Sequence, residues 1–169
     1  MPDPVIREAT VADATAIGSV HVASWRVAYA GEVSDDVLSG LSILDRARQW
    51  EEVLGAAEPR GTVVVLESAG WLGGFAAFGS ALEDSGGQLY ALYVDPQQWG
   101  RGFGRLLLDE SVTRLASAGH AEAVLWVLDT NTRARTFYER AGWKPDGATK
   151  TEELHGASLP TVRYRRPLP

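Results

Sequence analysis

Residues 88 to 108 read Gln-Leu-Tyr-Ala-Leu-Tyr-Val-Asp-Pro-Gln-Gln-Trp-Gly-Arg-Gly-Phe-Gly-Arg-Leu-Leu-Leu, and the chemistry they could do is anion binding by the backbone. Gly100, Gly102 and Gly104 stand at every second position with Arg101 and Arg105 among them, and Leu107, Leu108, Ser111, Val112 and Leu115 follow at helical spacing. Glycine has no Cβ, so successive N–H groups can converge on one ligand, and the unpaired N–H groups of a helix start add partial positive charge. The natural ligand is a phosphate or pyrophosphate. Counted from Gly100 or Gly102, the third glycine of G-x-G-x-x-G falls on Arg105 or Leu107, so the dinucleotide fingerprint fails, and no G-x-x-x-x-G-K-[ST] is present. The plain alternative is a tight strand-to-helix turn that needs glycine for its geometry alone.

A second stretch, residues 123 to 143, runs from the apolar Ala-Val-Leu-Trp-Val-Leu through Asn131 to a helical segment ending at Gly142-Trp143. Together the two stretches resemble the GNAT superfamily of N-acetyltransferases. The family's loop pattern [QR]-x-x-G-x-[GA] is matched by Trp99-Gly100-Arg101-Gly102-Phe103-Gly104, and its later segment N-x-x-A-x-x-F-Y-x-x-x-G-[FW] by Asn131, Ala134, Phe137, Tyr138, Gly142 and Trp143. Trp99 departs from the pattern, which most often has Gln or Arg there; since the loop works through backbone N–H groups, the change should alter packing more than phosphate binding.

The resemblance implies an acetyl-CoA-dependent enzyme acting by direct attack of an amine in a ternary complex. It places the coenzyme A pyrophosphate on residues 99–104 and the pantetheine arm along the backbone of Leu92, Tyr93 and Val94, like an added strand. A backbone N–H near Val94 is then the oxyanion donor. Arg101 and Arg105 would pair with phosphates or remain a solvated helix start. Asn131 would contact the pantetheine arm, cap the following helix, or do both. Tyr138, beside the sulfur, is the implied general acid for the departing thiolate. The family often draws its general base from a Glu on the central strands; position 88 here is Gln, which leaves Tyr90, Glu32, Glu152, Glu153 and His155 open. The acceptor side falls to the first helices and the chain after the last motif helix, hence Trp25, Tyr29, Glu32, Tyr90 and Glu153, where carboxylates beside aromatics suit a cationic amine. A small-molecule or peptide amine is the expected acceptor. A non-catalytic acyl-CoA-binding regulatory module is the alternative, separated from the enzyme by what Tyr138→Phe does to turnover.

Composition narrows the classes. A net charge of -6 and a pI near 5.1 speak against a broad nucleic-acid or anionic-membrane surface. No cysteine is present, which removes disulfides, thiolate metal sites and a cysteine nucleophile. No H-E-x-x-H, no G-x-S-x-G and no clustered His/Asp set occurs, so no metal is expected. The first residues carry no basic, apolar leader pattern and no segment is of bilayer-spanning length, so a cytoplasmic location is expected.

The elements that must position these residues follow from periodicity. Residues 5–9 predict a first strand; Thr10-Val11-Ala12-Asp13 is a capping box opening a helix with Ala14, Ile17, Val20, His21, Ser24 and Trp25 on its apolar face. Ser34-Asp35-Asp36 and Ser42-Ile43-Leu44-Asp45 cap two further segments, the second carrying Trp50 and stopping at Gly55. Residues 61–67 and 71–79 predict a hairpin about Ser68-Ala69-Gly70, with the central strand as the third of a meander. The strand at 121–129 should run parallel to it around a crossover helix. Pro145-Asp146-Gly147 reads as a turn and Thr161–Arg166 as an edge strand, through which a homodimer could form. The expected fold is therefore α/β of the α+β type: residues 1–169 as a single domain on a central mixed, mostly antiparallel twisted sheet flanked by helices, with a splayed parallel pair forming the acetyl-CoA slot.

Overall fold

Seven strands form one sheet in the computed structural model, which describes residues 2–169. They are β1 (Val5–Glu8), β2 (Gly61–Ser68), β3 (Trp71–Ser80), β4 (Gly87–Val94), β5 (Glu122–Leu128), β6 (Lys144–Leu154) and β7 (Ala157–Pro167), in the order β1-β2-β3-β4-β5-β7-β6. Every pairing is antiparallel except β4 with β5. The β2–β3 hairpin closes through Ala69 and Gly70, both left-handed (φ 54° and 79°), as a two-residue turn matched to strand twist requires.

Five helices cover the sheet: α1 (Ala14–Ala28), α2 (Asp35–Ser39), α3 (Ile43–Gly55), α4 (Phe103–Ser117) and α5 (Thr132–Arg140). At the entry to α1, the Thr10 N–H donates to the Asp13 carboxylate at 2.7 Å across a short 3₁₀ turn. Ser42 Oγ accepts the Asp45 N–H at 3.1 Å to open α3. The alternation along β2 explains the layers: Val64 and Leu66 join Leu107, Leu108, Leu115 and Trp143 beneath α4 and α5, whereas Val65 turns to Ile17, Val20 and Trp50 of α1 and α3. A Cβ on Gly18 would lie 2.9 Å from the Ala47 backbone nitrogen, so the close crossing of α1 and α3 requires that glycine. No helix of the described residues is long and apolar enough to cross a membrane.

Two expectations are corrected at the C-terminal end. The 161–166 segment is not an edge: β7 is paired on both sides, between β5 and β6, because the chain returns through β6 on the outside. It therefore has no free edge to offer a second copy. Pro145-Asp146-Gly147 lies within β6 as a bulge, where the register jumps from Pro145↔Tyr164 to Thr149↔Val162 and Gly147 takes φ 90°. Asp146 holds the bulge by accepting the Ala148 N–H at 3.0 Å and Arg163 Nε at 2.7 Å.

The parallel pair is short. β4 and β5 pair at Gly87↔Ala123, Gln88↔Val124 and Leu89↔Leu125 and then separate, although the strands run on to Val94 and Leu128. A bulge at Tyr90, where the β3 partner steps from Phe78↔Leu89 to Ala77↔Ala91, turns the second half of β4 away. A slot opens between two strands of one sheet.

Candidate active site

One wall of the slot is backbone. The Asp95 N–H donates to the Gly73 carbonyl on β3 at 2.9 Å, so antiparallel alternation turns the N–H and C=O of Val94 and Leu92 the other way, towards the gap left by β5. Tyr93, between them, faces α1 with its side chain and β3 with its backbone. The Val94 carbonyl is taken by Trp99 Nε1 at 3.0 Å and Ser24 Oγ at 3.3 Å. Trp99 thus ties the glycine loop to the end of β4, a role for its indole that no Gln would reproduce in shape. Its ring is covered by the Arg133 guanidinium, 3.8 Å from the centroid, which sequence reasoning did not single out.

The loop ends at Gly102, the N-cap of α4, where Gly100 and Gly102 have φ 82° and 81°. A Cβ at either would meet nothing within 4 Å, so open space lies above them and their glycines serve conformation. The first intrahelical bond runs from the Leu106 N–H to the Gly102 carbonyl, leaving the Phe103, Gly104 and Arg105 N–H groups without helix partners. A Cβ on Gly104 would lie 3.4 Å from the Phe137 ring, so at this point α4 rests directly against α5. Arg105 is held by Asp109, Nε to Oδ1 2.9 Å, while Arg101 is exposed.

The opposite wall is α5. Asn131 caps it, Oδ1 accepting the Ala134 N–H at 3.1 Å, and its amide nitrogen is left for a further bond. Tyr138 is 8% exposed among Phe137, Trp143 and the α4 core. Burial, and then the neighbouring Tyr93, push its hydroxyl well above the usual phenol range, so it keeps its proton at any working pH. That hydroxyl makes no protein hydrogen bond among the described residues, yet the fully buried orphan atom on this wall is Trp143 Nε1.

At the far end of the slot, aromatics from distant parts of the chain meet. Trp25 Nε1 donates to the Tyr93 hydroxyl at 3.1 Å, and Tyr29 lies edge-on to Trp25. His155, in the β6–β7 turn with φ 51°, sits 5.0 Å from Trp25 between ring centroids, its Nε2 buried without a partner. Burial, Tyr93 and Glu152 push the Tyr29 hydroxyl up. The nominated acceptor carboxylates do not join this group: Glu32 is exposed, and Glu153 is exposed and accepts from Ser158 Oγ at 2.5 Å. Tyr90 lies instead against Gly61 and Gly79 and donates to the Ser80 carbonyl. Gln88 is buried and accepts the Leu82 N–H at 3.0 Å, a structural tie. In their place stand Glu152, which the sequence offers only as one of several bases, and Arg46, whose guanidinium lies 4.3 Å over the Trp25 ring. The only signal for Arg46 in the sequence is a cation set i, i+4 from Trp50 on the edge of an apolar stripe. Among the described residues no group of three or more His, Asp or Glu side chains could hold a metal ion.

Comparison with known proteins places these features in context. The model of the acetyltransferase (GNAT) family matches residues 25–143. An uncharacterized N-acetyltransferase, YuaI, of Bacillus subtilis is 32% identical over 161 residues, spanning 93% of this chain and 89% of its own. A probable N-acetyltransferase, Rv2775, of Mycobacterium tuberculosis is 32% identical over 165 residues, 95% and 91% of the two chains. Among solved structures, the paiA N-acetyltransferase of Thermoplasma acidophilum in complex with coenzyme A superposes with a TM-score of 0.74 at 19% identity, covering 98% of this chain and 99% of its own, a likeness of fold.

Proposed function

Since the chain belongs to the acetyltransferase (GNAT) family, we propose that it transfers an acetyl group from acetyl-CoA to a primary amine by direct attack in a ternary complex. The observation that carries this reading is the splay after Leu89↔Leu125, where the N–H groups of Leu92 and Val94 have no strand partner, with α4 and α5 following β4 and β5. The donor fits: the N–H groups of Leu92 and Val94 offer an extended chain a strand edge, and the orphan N–H groups of Phe103, Gly104 and Arg105 offer a pyrophosphate a helix start under an open glycine loop.

Acetyl-CoA supplies an activated thioester carbonyl. In the proposed mechanism the Leu92 and Val94 N–H groups orient the pantetheine arm, and Val94 N–H stabilises charge developing on the carbonyl oxygen, a contact type whose removal costs about 3 kcal/mol in other acyl-transfer enzymes. The Asn131 amide nitrogen, its oxygen already committed to Ala134, holds the arm from the α5 side. Tyr138 O–H donates its proton to the leaving thiolate, and burial ensures that the phenol is in its protonated form when the thiolate departs. Arg101 and Arg133 are the cations free to approach phosphate, with Arg105 requiring release from Asp109.

Calorimetric titration with acetyl-CoA, beside ATP and NAD as controls, tests the donor, and thiol release with an amine panel tests transfer. Binding of acetyl-CoA alone together with amine-dependent thiol release supports the reading. Absence of acetyl-CoA binding at millimolar concentration refutes it.

A further inference from the structure

Arg46 is a cation with nothing on the protein to answer it. Its guanidinium lies over the Trp25 ring and close to the His21 and Tyr93 rings, yet among the described residues it makes no ion pair and no hydrogen bond. Burial lowers its pKa and only Tyr93 works the other way. The nearest carboxylate in sequence, Asp45, is largely exposed and set towards Arg48 at 3.8 Å. Arg46 is only partly withdrawn from water, so leaving it without a counter-charge carries part of the desolvation cost of a buried ion, which stacking on the indole face offsets in turn. The group is also not simply filling space, because a cavity of about 260 Å³ opens beside it, walled by Val22, Trp25, Leu41, Ser42, Arg46 and Gln49 and with Asp45, which makes no ion pair with Arg46, at its rim.

Trp25 of the cavity wall is joined to the slot wall through Tyr93. Its hydroxyl is bonded to Trp25, under Arg46, while its backbone lies between Leu92 and Val94, whose N–H groups face the splay. Glu152, half-buried on β6 and paired with Lys150 Nζ at 3.5 Å, bears on the same two tyrosines, Tyr29 and Tyr93. Arg46 is thus the charge beside Tyr93 that no ion pair answers among the described residues.

We propose that Arg46 receives a carboxylate of the acceptor, so that the amine acetylated by this protein is an amino acid or a close relative bearing its own carboxylate. The inference rests on the acetyl-transfer reading above. The planar, five-donor guanidinium matches a carboxylate bidentately, which a simple amine could not exploit and a neutral amide would exploit poorly. The direction of selectivity is the reverse of what exposed carboxylates at Glu32 and Glu153 would give, since those would favour amines of purely positive charge.

The test uses the whole protein saturated with coenzyme A, titrated calorimetrically with N-acetyl amino acids whose carboxylate stands at increasing distance from the nitrogen, each beside its carboxamide. At least one acid should bind about ten-fold or more tightly than its amide. Arg46→Gln should erase that preference, and Arg46→Lys should restore part of it by charge without the fork. Acetyl-CoA affinity, measured in the same preparations, should be unchanged in both variants and so report that they are folded. If no acid is preferred over its amide, or the preference survives in Arg46→Gln, the carboxylate assignment is overturned while intact acetyl-CoA binding leaves the transferase reading standing. Loss of acetyl-CoA binding in the unaltered protein would instead remove the premise and the inference with it.

Discussion

At the scale of single residues, Tyr138 carries the sharpest expectation. Its hydroxyl is unbonded to protein and held above its ordinary pKa by burial of the side chain. Tyr138→Phe removes one oxygen from a site already lined by rings, so the fold and acetyl-CoA affinity should persist while kcat falls about a hundred-fold or more, in the range of general acid catalysis. The comparison to make is kcat against the calorimetric affinity for acetyl-CoA; a variant that keeps its kcat would remove Tyr138 from the mechanism. The pH profile gives a second check: with the tyrosine protonated throughout, kcat should show no alkaline limb attributable to it below about pH 10. Motif spacing made Tyr138, Asn131 and the glycines legible, because those residues sit at fixed offsets within one strand-turn-helix segment. Arg46 was not legible, and Glu152 was so only as one of several bases with no place of its own. They stand on α3 and β6, elements whose mutual position no local pattern encodes, and the carboxylates chosen for the acceptor side, Glu32 and Glu153, face solvent.

At the scale of elements, the glycine loop and the sheet use glycine in two ways that substitution can separate. Gly102 needs a left-handed conformation but has empty space above it, whereas a Cβ on Gly74 would stand 2.8 Å from the Tyr93 carbonyl and 2.9 Å from Leu107. Gly102→Ala should cost only backbone strain, about 1 kcal/mol, and lower Tm by about 2–4 °C. Gly74→Ala should cost more, about 2–3 kcal/mol, because β3, β4 and α4 must move apart. Urea denaturation distinguishes them, and equal losses would show that space is not what sets Gly74. The same contrast explains how far pattern reading reached. Alternation and capping gave the first strand, the helices of the N-terminal half, the meander and the crossover, since each rests on local hydrogen bonding and one buried face. It misplaced the last strand, because alternation marks a strand's faces and carries no information on whether one or both of its edges are paired. It also read Pro145-Asp146-Gly147 as a chain reversal, when the same residues make a bulge that two arginines on the neighbouring strand hold in place.

At the scale of the whole molecule, His21 ties the helical layer to the sheet and sets a pH dependence. Its Nδ1 accepts Trp50 Nε1 at 3.1 Å, and its ring stacks on Tyr93 at 4.8 Å. Burial, then the nearby Arg46, lower its pKa from 6.5 to about 3. The unfolded chain therefore takes up a proton that the folded one refuses: the contribution is fully present above about pH 6.5, and is lost as pH falls from there towards 3, at about 1.4 kcal/mol per pH unit in mid-window. Asp13, lowered to about 2 by Arg7, loses its contribution only below about pH 4 and does not blur the upper part of that window. His21→Leu should be less stable at pH 7, where it strands the Trp50 N–H, yet lose less between pH 6.5 and 4.5 than the unaltered protein. Parallel slopes in calorimetric Tm would contradict this account. The contact between Trp25 on α1 and His155 in the β6–β7 turn has a kinetic meaning as well. It joins the first helix to the last hairpin, a contact of long sequence separation, and is expected to form late in folding. The wall expected to choose the acceptor is therefore the last part of the molecule to be completed, and its backbone amides should exchange with solvent hydrogen well before those of the β2–β3–β4 meander beneath it.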